Sequence, residues 1–187
     1  MINQSKWVVE NNDKSQLVRA STIKPRIDYA TEIVDGLLDV LSRHRQDVHK
    51  NNLDLYKRLT GECQIHLTLE KQIRYELELS YTIESLRQIR RRIDCIVGLG
   101  NIPTVLSPTI SVVRTIRSKL LALMPAMDFQ LGELALLLGG IIIDSAHLAS
   151  TNLDFGRAND VSSRLLDEAK LIANSKICKQ FPNLDFW

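Results

Sequence analysis

The sequence predicts an all-α protein, built as a long helical hairpin with shorter helices that pack back on it. Its 187 residues are rich in aliphatic side chains, with only 5% aromatic residues, 8 glycines and 5 prolines. A β-sandwich or barrel needs turn residues about every 8–12 positions, and this composition does not supply them. No proline occurs between Pro25 and Pro103, and apolar residues recur there every three or four positions, the spacing of one helix face.

Two apolar stripes predict the arms of the hairpin over residues 25–97, with Thr60-Gly61 at its turn. Each arm would be about 50 Å long at 1.5 Å per residue. Pro25 suits the first turn of a helix, where its missing N–H would be unpaired in any case. Residues 1–24 are polar and lack a long apolar period, so they are expected to form a flexible N-terminal arm. The stripes comprise Ile27, Ala30, Val34, Leu37, Leu41, Val48 and Leu55, then Ile65, Leu69, Ile73, Leu77, Ile83, Leu86, Ile89, Ile93 and Val97.

Shorter helices are predicted after Gly98. Ser107-Pro108 has the form of an N-cap followed by a first-turn proline, which gives a helix over 107–124. Pro125 interrupts the chain before a second helix over 127–149, where a short strand at 141–143 is the competing interpretation. Residues 25–149 thus form the predicted core. A polar linker over 150–160 leads to a C-terminal regulatory helix and tail over 161–187.

The charges of the chain are unevenly distributed, although the formal net charge is only +2. Residues 1–86 carry a net −1, residues 87–119 a net +6, and residues 120–187 a net −3. A cationic middle and an anionic end could form an intramolecular clasp, polymer contacts or a site for an anionic partner.

Targeting signals and a disulfide framework are not indicated. Cys63, Cys95 and Cys178 are odd in number and scattered, which favours a reducing compartment. The most apolar run, residues 131–143, has 13 residues, and a membrane span needs about 20. The protein is therefore expected to be cytoplasmic, with contact to a membrane only at its surface.

Four segments, in this order, resemble the archaeal ESCRT-III-like cell-division protein CdvB family, as found in ammonia-oxidising archaea. They are KPRIDYA at 24–30, IESLRQIRRRIDCIVGLGNIPTVLSPTISVVRTIRSKLLALMP at 83–125, QLGELALLLGGIIIDSA at 130–146 and SSRLLDEAKLIANSKICKQFP at 162–182. Asn101 stands where the family usually has Asp, a departure typical of a divergent paralogue.

The resemblance implies an ESCRT-III fold and a self-assembling filament that remodels and constricts membrane in cell division or a related scission event. It implies polymers with paralogous subunits, disassembly by a CdvC-like AAA ATPase, and a place on the inner face of the cell membrane at the division site. It implies no catalysis, no cofactor and no small-molecule substrate.

The basic residues of 87–119 are the predicted polymer interface or intramolecular clasp, because charge pairs fix register and partner choice. The competing interpretations are contact with anionic lipid and a solvated helix face. The residues are Arg87, Arg90, Arg91, Arg92, Arg114, Arg117 and Lys119.

Two other segments carry predicted sites. Cationic and apolar side chains near the N-terminus and on the first arm are predicted to bind membrane, namely Met1, Ile2, Lys6, Trp7, Arg43, Arg45 and Lys50. A plain tail and offsetting Asp residues are the alternative. By similarity, the ATPase-binding helix would present Leu165, Leu166, Ala169 and Ile172, which could instead only pack on the core.

Catalytic and metal sites are not predicted. Cys63 and His66 have metal-ligand spacing, but no second pair of ligands accompanies them. Neither Gly98-Leu99-Gly100 nor Gly139-Gly140 is followed by the Lys-Ser/Thr of a phosphate loop. Two other function classes stay open. One is a nucleic-acid-associated helical adaptor using the 87–119 basic stretch, and the other is a coiled-coil scaffold without membrane contact.

Overall fold

The computed structural model describes the backbone of residues 4–58, 63–149 and 155–182, and the side chains of residues 21–58, 67–149 and 156–182. This described part is all-α. Its helices are α1 (Gln4–Lys57), α2 (Cys63–Asp94), α3 (Ile102–Leu123), α4 (Asp128–Ala149) and α5 (Phe155–Gln180). Single 3-10 turns at Leu99–Asn101 and Pro125–Met127 precede α3 and α4.

Helices α1 and α2 form the predicted antiparallel hairpin, and the three shorter helices pack against it. Helix α4 lies against α1 and α3, whereas α5 lies against α2 and α3. Most residues of the predicted stripes lie in the main core, with Val34, Leu41, Leu86 and Ile89 at 0% exposure. Leu69 and Ile73 belong instead to a second cluster, against which Leu55 packs. Val97 is 92% exposed, because α2 ends before it.

The first helix begins at Gln4 and not at Pro25 as predicted, so residues 4–24 of the predicted N-terminal arm are helical. Pro25 lies inside α1. An internal proline removes one backbone hydrogen bond, but its fixed φ is compatible with a helix. Ile23, two residues earlier, is 2% exposed and belongs to the main core, so packing on both sides of the proline holds the helix together.

The third helix begins five residues before its predicted start. Pro103 lies in its first turn, where a missing N–H costs nothing. Ser107 is therefore not an N-cap: its hydroxyl donates 2.6 Å to the carbonyl of Pro103, one turn earlier. Pro108 is buried inside the helix. Pro103 and Pro108 are both compatible with a first helical turn, and the helix begins at the earlier of the two.

Helix α5 begins at Phe155, so part of the predicted linker over 150–160 is helical. Ala158 is buried at 7% exposure, and this tertiary contact outweighs the weak helix propensity of the surrounding polar residues. The competing strand at 141–143 lies inside α4, whose 3–4 spacing continues through Ile141 to Ser145.

One helical stretch, Pro125–Ala149, is long and apolar enough to cross a membrane by length and composition. Its most apolar run, residues 131–143, is by itself too short for a span. In the fold, one face of α4 is buried in the main core through Leu131, Leu134 and Leu138. Its opposite face is unusually apolar for a surface.

Candidate functional site

Helix α5 is docked along α2 and α3 through a stripe of small residues. Ala169 and Ala173 are both at 0% exposure, so the backbone of α5 approaches the core closely. Ile177, also fully buried, continues this stripe toward the C-terminal end. The opposite face is exposed and includes Asp167 and Leu171. Helix α5 is thus an amphipathic element laid on the outside of the core.

An ion pair fixes α5 to the hairpin. Nζ of Lys176 lies 2.5 Å from Oε1 of Glu84 on α2. Glu84 is only 6% exposed. The same oxygen also accepts from Arg87, one turn further along α2, at 2.5 Å. Two cations therefore neutralise one largely buried carboxylate, and one of the two comes from α5.

The C-terminal end of α5 closes the tip of the hairpin. Phe181 is 1% exposed and lies edge-on to His49 and Tyr56 of α1, with ring centroids 5.8 and 5.6 Å apart. With Ile177, Leu69 and Ile73 it forms a second core cluster, separate from the main one.

A buried polar group lies at the same end of the hairpin. Glu76 of α2 is at 0% exposure, and its Oε2 accepts a 2.8 Å hydrogen bond from Asn52 of α1. Nδ1 of His49 and Nε of Arg45 lie 2.9 and 3.7 Å from its other oxygen, without hydrogen-bond geometry. His49 also contacts Phe181, so its ring lies between this polar group and the residue that follows α5.

The predicted basic residues divide into bound and unbound groups. Arg90 pairs with Asp35 of α1 at 3.0 Å and with Asp94 of its own helix. Nε of Arg92 donates to the carbonyl of Val105 at 3.2 Å, and burial lowers its pKa.

The basic residues of α3 are likewise mostly engaged. Arg117 binds both carboxylate oxygens of Asp128, at 2.6 and 2.8 Å. Lys119 lies 3.8 Å from Glu78 and 4.2 Å from the centroid of the Tyr81 ring. The pKa of Asp128 is held below its usual range by the hydrogen bond from Arg117.

The clasp predicted between 87–119 and the C-terminal third is therefore wrong in most of its partners. Only Arg117–Asp128 joins these two regions among the described ion pairs. The other described ion pairs of these basic residues end on the hairpin, because Arg87 and Arg90 lie on α2 itself and α3, which carries Lys119, packs against α2. The exposed guanidinium groups of Arg91 and Arg114 have no partner among the described residues. These two remain as cations open to another molecule.

The predicted membrane-binding residues are not brought together by the described side chains. Met1 and Ile2 lie outside the described residues, as do the side chains of Lys6 and Trp7. The other predicted membrane-binding residues are the cations of α1. Lys50 is exposed, and Arg43 is exposed and pairs with Asp39. Arg45 is not the expected surface cation, because its guanidinium lies near buried Glu76.

The predicted ATPase-binding residues lie on or beside the docked face of α5. Ala169 is buried, and Leu165, Leu166 and Ile172 are half-buried. Phe181, Lys176 and Glu84 are not among the residues predicted from the sequence to form a site. The four-residue spacing of Ala169, Ala173, Ile177 and Phe181 was the signal for a longer docking stripe.

Among the described residues, no group of three His, Cys, Asp or Glu side chains is placed to hold a metal ion. Cys95 and Cys178 carry free thiols. The site described above consists of contacts that dock α5 on the hairpin and α3.

Comparison with known proteins gives a distant relative. The chain is 26% identical over 107 residues to cell division protein B1 of Sulfolobus acidocaldarius. This alignment covers 57% of the chain and 50% of the relative. No protein-family model matches the chain, and no solved structure matches it significantly. Similarity to a cell-division protein and an all-helical hairpin fold are therefore the two findings on which a function can be based.

Proposed function

We propose that this protein is a structural, non-enzymatic subunit of an ESCRT-III-like filament that remodels membrane in archaeal cell division or a related scission event. Two findings support the proposal. The chain is similar to a protein named for cell division, and it forms a long helical hairpin. A rigid hairpin about 50 Å long suits a filament subunit, since neighbouring subunits can pack along its length.

The observation that carries the proposal is the docking of α5. Helix α5 contributes only Ala169 and Ala173 to the buried residues of the main core, and its other described attachments include Ile177, the Lys176–Glu84 ion pair and Phe181, so it can leave without dismantling that core. The structure would then be the closed form of the subunit. Release of α5 would uncover Glu84 and the hairpin tip, and neighbouring subunits would cover them during assembly.

Release of α5 would also supply the binding element for an AAA ATPase of the CdvC type. Ala169 is buried in the closed form, and Leu165, Leu166 and Ile172 are half-buried, so the full apolar stripe becomes available only after release. An amphipathic helix laid in a groove is a common mode of recognition. Assembly and disassembly would thus use the same helix.

The proposed place of action is the inner face of the cell membrane at the division site. Exposed Lys50 and Arg91 each add about 1 kcal/mol of attraction to an anionic lipid surface. The N-terminal segment with Lys6 and Trp7 is proposed as a second contact, since cationic and aromatic side chains favour the interface.

The test compares two substitutions on one helix. Ala173→Glu places a carboxylate on the docked face of α5, whereas Leu171→Glu changes its exposed face, where Leu171 is 70% exposed. We expect Ala173→Glu to form filaments, by electron microscopy with anionic liposomes, at concentrations where the wild type and Leu171→Glu do not. A protein that forms no polymer and binds no liposomes with α5 displaced would contradict the proposal.

A further inference from the structure

The outer face of α4 carries a row of large apolar side chains. Phe129, Leu136 and Ile143 recur every seven residues and are 77%, 80% and 57% exposed. Within Pro125–Ala149, only 28% of the most apolar 18-residue stretch is buried in the fold. A helix that is apolar all round is normally covered on all sides, and an exposed apolar surface of this kind marks an interaction site. The row therefore calls for a partner.

Two arginines hold α4 on the core, one near each end of the helix. Arg117 of α3 binds Asp128 at the start of α4, and Arg26 of α1 binds Asp144 near its end, at 2.6 Å in both pairs. The inner face of α4 is buried in the main core between these two pairs. Helix α4 is thus fixed along its length, and only its outer face can meet another molecule.

Positive charge lies beside the row on the flank toward α3. The guanidinium of Arg117 covers Gly132, where a Cβ would lie 3.2 Å from it. Arg114, one turn earlier on α3, is exposed and lines the same cavity as Phe129 and Leu136. No acidic residue occurs in α3 or in the 3-10 turns on either side of it. Arg114 is therefore a cation that no described carboxylate neutralises.

The flank toward α1 carries the opposing charge. Glu133 accepts a 2.7 Å hydrogen bond from the hydroxyl of Tyr29, and this bond raises the pKa of Tyr29. No cation pairs with Glu133 among the described ion pairs. Tyr29 is itself 44% exposed, and a tyrosine ring with its hydroxyl suits the headgroup level of a bilayer. Glu133 and Arg114 thus lie on opposite flanks of the row, and their contributions to binding can be measured separately.

We propose that the outer face of α4 lies flat on an anionic lipid surface, with the apolar row inserted among the acyl chains and Arg114 at the lipid phosphates. Side chains as exposed as Phe129 and Leu136 stand out from the protein, and a fluid bilayer accepts them without a shaped counterpart. An apolar face flanked by arginine is the pattern of a helix in the interface plane. From Phe129 to Ile143 the row is about 21 Å long.

This inference rests on the proposed membrane-remodelling function and names a surface that would carry the contact. Because α4 stays attached to the core by its inner face, the helix lies along the bilayer and does not cross it. The hairpin would then rest on the membrane through α4, on the side where Arg26 and Arg117 hold the helix in place.

The first test is flotation of the full chain with phosphatidylcholine vesicles that contain phosphatidylserine. We expect Leu136→Ser to weaken binding at least about tenfold, because the inserted side chain no longer leaves water. Leu136 is 80% exposed, so the circular dichroism spectrum should not change. Leu171→Ser changes a leucine of α5 that is 70% exposed and serves as the matched control, which should bind like the wild type.

The second test uses the two opposing charges. On vesicles with phosphatidylserine, Arg114→Gln should weaken binding about fivefold, whereas Glu133→Gln should strengthen it. On vesicles of phosphatidylcholine alone, neither substitution should change the residual binding. Equal binding of both variants and the wild type to the anionic vesicles would overturn the assignment of Arg114 to the lipid phosphates.

A depth measurement decides whether the row is inserted. An environment-sensitive dye on Leu136→Cys, with the three native cysteines replaced by serine, should be quenched by a quencher on the acyl chains. The same dye on Leu171→Cys should not. The proposal is overturned by a chain that binds no vesicles, by an unquenched dye at position 136 on bound protein, or by Leu136→Ser changing self-association but not vesicle binding.

Filament formation by Ala173→Glu, measured in parallel by electron microscopy, separates this inference from the proposed function. Filaments with an unquenched dye at position 136 would reject the membrane role of α4 and leave the filament subunit intact. A quenched dye without filaments would support the membrane face of α4 and reject the filament subunit.

Discussion

Lys176 and Glu84, 92 residues apart in the sequence, form an ion pair of 2.5 Å that joins α5 to α2. Glu84 is largely buried, so its carboxylate depends on Lys176 and Arg87 for neutralisation. Removal of Lys176 leaves only one partner for a desolvated charge. The attachment of α5 is therefore electrostatic at this point and apolar on either side of it.

Lys176→Met should loosen α5 while it leaves the hairpin folded. The side chain of Lys176 is 40% exposed, and screening by solvent limits the expected loss to about 1 kcal/mol. Amide hydrogen exchange in α5 should then accelerate by roughly fivefold, with α2 unaffected. Lys179→Met, on the exposed side of the same helix, is the control. Equal exchange in both variants would mean that Glu84 does not hold α5.

Phe181→Ala should release the C-terminal end of α5 from the hairpin tip. The side chain is 1% exposed and packs against two rings of α1, so its loss costs about 3 kcal/mol. Limited proteolysis should cut α5 sooner, and chemical denaturation should show reduced stability. Pro182→Ala changes the exposed neighbouring residue and should behave as the wild type. An unchanged digestion pattern for Phe181→Ala would contradict the role given to this ring.

Asn52→Leu should destabilise the hairpin, although it makes the interior more apolar. The amide of Asn52 donates to the carboxylate of Glu76 and to the carbonyl of Gln72. Asn52 and Glu76 are both 0% exposed. Loss of the donor leaves a buried carboxylate short of a partner, at a cost of about 1–3 kcal/mol. Asn51→Leu, at the exposed adjacent position, controls for leucine itself. Urea denaturation measures both, and similar midpoints would refute the expectation.

The Arg117–Asp128 pair should make stability depend on pH in acid. The pKa of Asp128 is lowered from its ordinary value of 3.8 by the hydrogen bond from Arg117. Its contribution is therefore complete above pH 3.8 and is lost as pH falls through the lower value in the folded state. The difference in Tm between the wild type and Asp128→Asn should be present at pH 6 and vanish in this acidic window. A difference that does not shrink as the pH is lowered below 3.8 would exclude this origin.

The helices could be predicted from the sequence because their signals are local. The 3–4 spacing from Ile27 to Leu41 and from Ile83 to Ile93 defines a buried stripe wherever the helix lies. The helix starts were predicted less well. Pro25 fits either the first turn or the interior of a helix, and the packing of Ile23 in the core decides for the interior. Ser107 fits either a helix start or its interior, and the first-turn position of Pro103 places Ser107 in the interior.

The partners of the charged residues could not be predicted, because summed charge carries no direction. The +6 segment and the −3 segment appeared complementary, yet Arg90 and Lys119 bind carboxylates of the hairpin. In the ion pair that holds α5, the C-terminal third supplies the cation, Lys176, and the hairpin supplies the carboxylate, Glu84. Which charges meet depends on the angles at which the helices pack against each other, and the apolar periodicity of the sequence does not give those angles.

Arg91 and Arg92 are adjacent, and their substitution should separate assembly from stability. Arg91 is exposed without a partner among the described side chains, whereas Arg92 is half-buried and bonded to Val105. Arg91→Glu should change the free energy of unfolding by less than about 0.5 kcal/mol, whereas Arg92→Glu should cost about 2 kcal/mol. Thermal denaturation measures this difference.

Assembly should respond in the opposite order. If Arg91 meets an acidic neighbour in the filament, Arg91→Glu should reduce the pelleted fraction in a sedimentation assay run with α5 displaced by Ala173→Glu, and high salt should reduce wild-type assembly likewise. A nucleic-acid adaptor would instead lose steeply salt-dependent DNA binding on Arg91→Glu and would keep its self-association. Because Arg91 makes no described side-chain contact within the fold, a loss of assembly in Arg91→Glu would point to a contact with another molecule. An unchanged pelleted fraction would remove Arg91 from the proposed assembly surface.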